Sequence, residues 1–596
     1  MYLLDIIPAT KIPHTQQQLF NYFFSQKLLP GALVKIPLGR RQELGVVFDS
    51  HDVAKQKMAI KSADFELRNI SRVISPEPIL TKQQLELALW LGQYYFASPG
   101  LFVKMMMPKS VNSKQLTVNS KNTKTKQKLI LAPTVAQAIA IANDQSNATL
   151  WHSGLKPKEQ NKVWRQIKNG ETQTIVGTRS AAFLPFANLK EIVIEDEQNP
   201  NHKSWDMFPH YDSQLVAQKL TEIFNAKLNI QDIRYHEFTL KTTDYQLKTG
   251  LVDMRAEIKD GNFSIFSRAL QIAIKDALAQ KQQVILFINR RGAANFILCR
   301  DCGYVAKCQN CDAPLAHHLI NGRPTLLCHH CGAKDAPPSL CPNCQGHRIK
   351  TVGGGTQKVE LEAQKLFPEA KIARLDSDNT PQPKDQQKII DAFIKKEIDI
   401  LVTTQILFSW LDALVPTKPK VVAMVAADTL LHIPDFRSGE RTWRAIINLA
   451  DLNPSAKFFV QTYNPNSSVI RSVAKNDYAE FIKEENETRQ ALNYPPFSQL
   501  VKLTFRHRDG QKAGQEAKIL AAKLQRANKN ETIEISPALP AFIPKERGKF
   551  VWNIVLKFKI KNLKLKIGKE FLVARNSLLR YVPTNWEIDV DPENLL

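Results

Sequence analysis

From Leu129 onward the chain alternates short apolar runs with stretches of helical periodicity. LILAP, ATLWHSG, TQTIVGTRS and LKEIVIEDE form one set; VILFINRRG (284–292), AKIARLDSD, IDILVTTQI and KVVAMVAAD form a second. Short apolar strands separated by helices predict parallel α/β sheets, because parallel neighbours need crossovers that cover both sheet faces. A block of cysteines interrupts the second set. Upstream the pattern differs. Pro30 to Arg41, PGALVKIPLGRR, starts at a turn, alternates as a strand and turns again, and Gly45-Val46-Val47 begins a returning strand. A helix from about Lys82 to Tyr95 closes this β-rich domain. Residues 110–128, SVNSKQLTVNSKNTKTKQK, are polar almost throughout and predict a linker. From about 480 another α+β module runs to the closing VDPENLL.

A chain of 596 residues exceeds one core, and three to five domains are expected. Lysine and arginine number 81 against 57 acids, a formal charge of +24, which favours a polyanionic partner: nucleic acid or an anionic membrane surface. The longest apolar runs, such as Val421 to Ala427, reach under half of the roughly 20 residues a spanning helix needs. MYLLDIIPATKIP lacks the basic start and long apolar stretch of a signal peptide. No membrane partner and a cytoplasmic location are expected.

All eight cysteines lie between 299 and 344, in four Cys-x-x-Cys pairs: Cys299/Cys302, Cys308/Cys311, Cys328/Cys331 and Cys341/Cys344. Each pair sets two thiolates on one side of a tight loop, half of a tetrahedral zinc site. Sixteen residues separate Cys311 from Cys328, and Asn321-Gly322 between them is a two-residue hairpin signal. Such a hairpin brings its own ends together. The inner pairs are therefore expected to share one zinc and the outer pairs, Cys299/Cys302 with Cys341/Cys344, the other. Sequential pairing would have to bridge Cys302 and Cys308 with five residues. An iron–sulfur cluster is the rival to zinc. His317, His318, His329 and His330 are expected at the surface, since eight thiolates already fill two sites.

A double zinc ribbon following Asn289-Arg290-Arg291-Gly292 resembles the replication restart (primosomal N′, PriA-type) helicase family. Further likenesses run along the chain. PGALVKIPLGRRQELGVV and YYFASPG resemble the family's 3′-end DNA-binding domain. His152-Ser153-Gly154-Leu155 and Gly177-Thr178-Arg179-Ser180 match signatures of its first lobe, and Asp435 to Arg441 (DFRSGER) an element of its second. PALPAFIPKERGKFVWNIVLK and DVDP resemble its C-terminal domain. The fold the resemblance implies is multidomain α/β. Residues 1–108 are a β-rich DNA-binding domain and 109–128 a linker. Residues 129–250 are one degenerate RecA-like lobe, and 251–298 with 347–468 the other. Residues 299–346 are the zinc insertion and 469–596 an α+β C-terminal domain.

The departures bear on mechanism. No G-x-x-x-x-G-K-[ST] phosphate loop occurs anywhere. Glu195-Asp196-Glu197-Gln198 stands for the D-E-x-H motif, its acids expected at a solvated strand end. No G-S-A-T-like coupling motif follows. Ser409-Trp410 stands where the family has Lys-Gly, and Asp451 to Pro454 fall where an arginine motif belongs. ATP use is therefore not expected. DNA contacts are expected at Arg40, Arg41, Lys545, Arg547 and Lys549 on phosphates. In HKSWDMFPHY, Trp205, Phe208 and Tyr211 either stack bases or pack a lobe interface. Asn21 stands where the family has an acid near its 3′-hydroxyl pocket. The resemblance implies a DNA scaffold at stalled forks with branched or single-stranded DNA, the replicative helicase, primosome components and single-strand-binding protein as partners. An active 3′–5′ helicase and a zinc-ribbon RNA or transcription factor are the alternatives.

Overall fold

A computed structural model describes residues 1–595 except 15, 54–67, 109–124, 198, 206, 232–248, 290–295, 311–312, 321, 353–354, 529–532 and 561–567. It falls into two compact units, Met1–Thr243 with Lys564–Glu593, and Asp244–Leu563 with Asn594–Leu596. Residues 469–596 are thus shared between the units.

The first unit opens with β1 (Tyr2–Pro8), β2 (Phe20–Phe24), β3 (Leu33–Leu38), β4 (Arg41–Asp52), β5 (Arg68–Asn69) and β6 (Arg72–Ser75), in the sheet order β5-β2-β1-β4-β3-β6. The alternation of PGALVKIPLGRR is met. Val34 and Ile36 point into a core with Leu4, Ile6 and Val47, while Lys35 between them is exposed. β3 and β4 are antiparallel, and the Leu38↔Arg41 pairing leaves Gly39 and Arg40 as the loop. Gly39 takes φ +60°, which a side chain would disfavour. The helix Lys82–Tyr94 starts at a capping box of Thr81 and Gln84.

The same unit carries a parallel sheet of β7 (Gln127–Leu131), β8 (Ala148–Trp151), β9 (Thr174–Gly177), β10 (Leu189–Glu195) and β11 (Lys227–Gln231), in the order β11-β10-β7-β9-β8. All four expected apolar runs are strands, and β11 is one more. β7 begins at Gln127, inside the stretch read as linker. Gln127 is buried because its side chain is satisfied at both ends: Nε2 donates to the Ile167 carbonyl (2.9 Å) and Oε1 accepts from Ala187 N–H (2.7 Å).

The second unit begins with β12 (Thr249–Asp253) and β13 (Val284–Phe287), then β14 (Phe296–Cys299), β15 (Ala316–Ile320), β16 (Arg323–Leu327), β17 (Lys334–Asp335) and β18 (Ile349–Val352) of the cysteine region, then β19 (Ile372–Leu375), β20 (Ile400–Thr403), β21 (Val421–Met424) and β22 (Lys457–Thr462). The lobe sheet is parallel, in the order β12-β22-β21-β13-β20-β19. Its centre is the fully buried Val284, Leu286, Val402, Val421 and Ala423. Thr249 and Gly250 pair with β22 and so belong to this sheet. The cysteine region has its own sheet, β17-β16-β15-β14-β18, which reaches past 299–346 to Phe296 and Val352.

β23 (Ser498–His507), β24 (Ile533–Ile535), β25 (Leu539–Glu546) and β26 (Lys549–Lys559) complete the unit. β26 pairs antiparallel with β23 from Ser498↔Lys559 to His507↔Phe550, and with β24 and β25. The helix Gly510–Ala527 packs Ala513, Ala517, Leu520 and Leu524 inward.

Candidate metal centre and nucleic-acid surfaces

Hairpin chemistry builds the cysteine clusters. β15 and β16 pair from Ala316↔Leu327 to Ile320↔Arg323, with Gly322 at φ +76°; Asn321 lies outside the described residues. This ladder carries the segment after Cys308 back to Cys328. β14 and β18, paired from Phe296↔Val352 to Cys299↔Ile349, bring the outer ends of the insertion together in the same way. Each described knuckle closes on itself. Gly303 N–H donates to the Cys299 carbonyl (2.8 Å), Gly332 N–H to Cys328 (3.0 Å) and Gln345 N–H to Cys341 (2.9 Å). All three donors have positive φ.

The result is two groups. Cys299, Cys302, Cys341 and Cys344 have sulfurs within 4.8 Å of one another, as do Cys308, Cys328 and Cys331. Cys311 lies outside the described residues. Sulfur separations are 3.7 Å for Cys299–Cys344, 3.5 Å for Cys302–Cys341 and 3.5 Å for Cys308–Cys331. A disulfide needs about 2.05 Å, whereas thiolates on a tetrahedral zinc with arms of about 2.3 Å sit about 3.8 Å apart. The geometry fits four-thiolate metal binding, and cysteines from the two ends of the insertion meet as a nested arrangement requires. These groups can hold metal ions.

The surroundings anchor the clusters to the lobe. Arg255, paired with Asp253 at 2.7 Å, donates to the Cys302 carbonyl at 3.2 Å. The histidines depart from expectation. His329 is buried, its Nε2 2.8 Å from that of His318 and its ring 5.5 Å from Phe542. Burial, with His318 and His330 beside it, pushes His329 down to about 3, so the neutral rings share one proton-donating and one accepting nitrogen. His330 meets the Pro434 carbonyl at 3.0 Å and Tyr494 Oη at 2.7 Å. These two rings hold the ribbon to the lobe and the C-terminal sheet. A sequence cannot show that, because the partners lie more than a hundred residues away.

In the first unit, Arg40 and Arg41 are exposed at the tip of the β3–β4 hairpin. Asn21 lies opposite Asp5 in the β1–β2 ladder and donates its amide to the Asp5 carboxylate, which also meets His51 at 3.2 Å. An acid therefore stands one strand away from Asn21.

The aromatic loop is held at both ends. The Lys203 ammonium is buried, donates to the Val590 carbonyl (2.6 Å) and lies 3.4 Å from Asp589. His210 bridges the Ser204 carbonyl and Glu587, each at 2.8 Å. Burial alone would lower His210, but the Glu587 hydrogen bond and the acids nearby raise it above the usual imidazole value. Trp205 (55% exposed) and Phe208 (40%) face outward. Tyr211 does not: it is 2% exposed and packs edge-on against Phe183 at 4.8 Å. It cannot offer a face to a base, and that expectation is corrected.

Glu195 is likewise buried rather than solvated. It is 6% exposed at the end of β10, its backbone carbonyl accepts from His202 Nε2 at 2.9 Å, and burial raises its pKa against the pull of Lys128. Where an arginine motif would lie, Asp451 caps the helix Ser438–Ala450, Leu452 is buried, and Asn453 donates to the Pro419 carbonyl. Lys545, Arg547 and Lys549 are all exposed on the hairpin between β25 and β26.

Each of the two units holds a parallel α/β sheet and a β-rich module, and the second also carries the cysteine-clustered ribbon, the make-up of a multidomain α/β protein. Residues 9–108 match the model of the 3′ DNA-binding domain (3′BD) of PriA, and residues 490–593 the primosomal protein N C-terminal domain. The replication restart protein PriA of Synechocystis sp. is 35% identical over 442 residues, covering 69% of this chain and 52% of the relative. That of Rickettsia conorii is 26% identical over 644 residues, covering 95% of each. The chain belongs to the replication restart protein PriA family, although it spans about half the length of relatives such as the Synechocystis protein. The solved DUF1998 helicase MrfA bound to DNA aligns over 68% of this chain and 48% of its own at 11% identity, with a TM-score of 0.31, too slight a likeness to argue from. Among the described residues no helix is long and apolar enough to cross a membrane.

Proposed function

We propose that this chain is a DNA-binding replication restart scaffold that recognises stalled or abandoned forks and promotes loading of the replicative helicase without ATP-driven unwinding. The observation that carries this reading is the lack of a G-x-x-x-x-G-K-[ST] loop in a sequence whose residues 9–108 match the PriA 3′ DNA-binding domain and whose residues 490–593 match the primosomal protein N C-terminal domain. Without that loop no backbone cradle, lysine or magnesium-binding hydroxyl is available for a nucleotide. Asp451 to Pro454 supply no arginine finger, a group worth about 10³–10⁵ in rate.

Arg40, Arg41, Lys545, Arg547 and Lys549 neutralise phosphates in this reading, and Trp205 and Phe208 stack unpaired bases. Two zinc ions, one per cysteine group with Cys311 completing the inner one, cross-link the insertion; such sites are closed and structural. Cys299, Cys302, Cys341 and Cys344 fix the outer end of the ribbon, and Cys308, Cys328 and Cys331 its hairpin. Replicative helicase and primosome components, and single-strand-binding protein, are the proposed protein partners, in the cytoplasm. Fork binding and ATP turnover measured on one preparation test the reading: tight, ATP-independent fork binding supports it, and DNA-stimulated hydrolysis overturns it.

A further inference from the structure

The β25–β26 hairpin carries a feature that phosphate contacts do not explain. Its ladder shifts register: Pro540 pairs with Trp552 but Lys545 with Phe550, so residues 541–544 bulge out of the strand. The bulge sorts its side chains. Ala541 is buried, and Phe542 turns back to the ring edges of His318 (6.4 Å) and His329 (5.5 Å), which moors the base of the arm to the cysteine ribbon. Ile543 is left 49% exposed and Pro544 exposed beside it.

Beyond them the arm is tightly turned and cationic. Glu546 pairs with Lys549 across a two-residue loop in which Arg547 (φ +45°) and Gly548 (φ +78°) are both left-handed, the tight turn that matches strand twist. The Lys545 ammonium sits 5.2 Å over the Phe550 ring, and the one acid, Glu546, is answered by Arg506 at 3.5 Å. An exposed Ile-Pro step beside three cations, Lys545, Arg547 and Lys549, on a tightly turned two-stranded hairpin has the chemistry of a wedge. Apolar side chains stack against a base step while flanking lysine and arginine hold the phosphates on either side.

We propose that Ile543 and Pro544 form a wedge that packs on the terminal base pair of a DNA duplex at a branch point, with Lys545, Arg547 and Lys549 gripping the adjoining phosphates. The proposal rests on the fork-binding reading and specifies the element that tells a junction from continuous duplex. In continuous duplex each base-pair face is covered by its neighbour, so the cations still bind but the wedge has no face to meet. At a branch the last base pair is open on one side.

The test uses the full chain and a synthetic fork with 2-aminopurine either at the last paired position of an arm or mid-arm, alongside plain duplex of equal length. Wild type should change the fluorescence of the junction probe and leave the mid-arm probe alone. Ile543→Ala/Pro544→Ala should abolish the junction change and lower the preference for fork over duplex by about fivefold, with the salt dependence unchanged. Ile543→Ala alone, a milder change at a half-exposed position, should show a partial loss. Ile519→Ala, 63% exposed on the helix Gly510–Ala527, should behave as wild type. Equal affinity of wild type for fork and duplex would overturn both the fork reading and the wedge. A fork preference that survives in the double variant, or a junction signal that persists there, would overturn the wedge alone.

Discussion

Replacing Cys341 with serine probes the nested arrangement at a fully buried ligand. Cys341 is fully buried, with its sulfur 3.5 Å from Cys302 in a group that includes Cys299 and Cys344. Structural zinc contributes about 10–16 kcal/mol in isolated finger peptides, or about 2.5–4 kcal/mol for each of four thiolates. Losing one should therefore weaken the outer ion by about 10²–10³-fold. The insertion's own apolar cluster is small: Ile297, Ala306, Ala313, Leu315 and Leu326 around Cys308 and Cys328. Metal analysis after dialysis against a chelator should give two zinc ions per wild-type chain and one in Cys341→Ser. Paired substitutions then report who shares with whom. Cys302→Ser/Cys341→Ser should keep one ion, because both changes strike the same site, whereas Cys302→Ser/Cys308→Ser should keep none. If the second pair kept one ion and the first kept none, the knuckles would pair in sequence and the nested account would be refuted.

Three further outcomes follow from local geometry. At Gly303 a Cβ would lie inside contact distance of the Tyr463 carbonyl oxygen at φ +81°, whereas at Gly322 (φ +76°) it would meet nothing; Gly303→Ala should lower the melting temperature clearly more than Gly322→Ala, which carries only the left-handed cost of about 1–2 kcal/mol. His210 is raised in the folded chain, so the stability from its tie to Glu587 is complete below the ordinary imidazole value and lost as pH rises through the elevated one; the gap between wild type and Glu587→Gln, below about 1 kcal/mol for so exposed a partner, should narrow from pH 6 to pH 9 in denaturant melts, and a gap that widens would contradict it. Lys545→Ala/Arg547→Ala/Lys549→Ala should weaken duplex binding and flatten the salt slope by up to about 2.7, at about 0.9 per phosphate contact on duplex; an unchanged slope in a binding titration would remove these residues from the interface.

What could be read from the sequence was local. The Asn321-Gly322 signal, the Cys-x-x-Cys spacing and the alternation of PGALVKIPLGRR each place their consequence within a few residues, and the structure has the matching ladders. The apolar runs that became β7 to β10 and β13, β19, β20 and β21 were visible because parallel strands buried on both faces need unbroken apolar sequence. Environments made by distant partners were not visible. Tyr211 looked available because it sits in an aromatic loop, and Glu195 because it opens an acidic run at a strand end, yet Phe183 covers one and the other is buried. His329 is buried by Phe542, far along the chain. Gln127 sat in a polar run and is a buried strand residue because Ile167 and Ala187 satisfy its amide. β12 is short, and its place in the second lobe is set by β22 rather than by any periodicity of its own.

The most direct test of the central claim measures fork affinity and ATP turnover on the same purified protein, at about 0.15 M salt, where non-specific attraction is already strongly screened. The account predicts tighter binding to a fork than to plain duplex of equal length, unchanged by ATP, with no DNA-stimulated hydrolysis above the buffer blank. Steady turnover that co-purifies with the chain and rises on adding forks would contradict it.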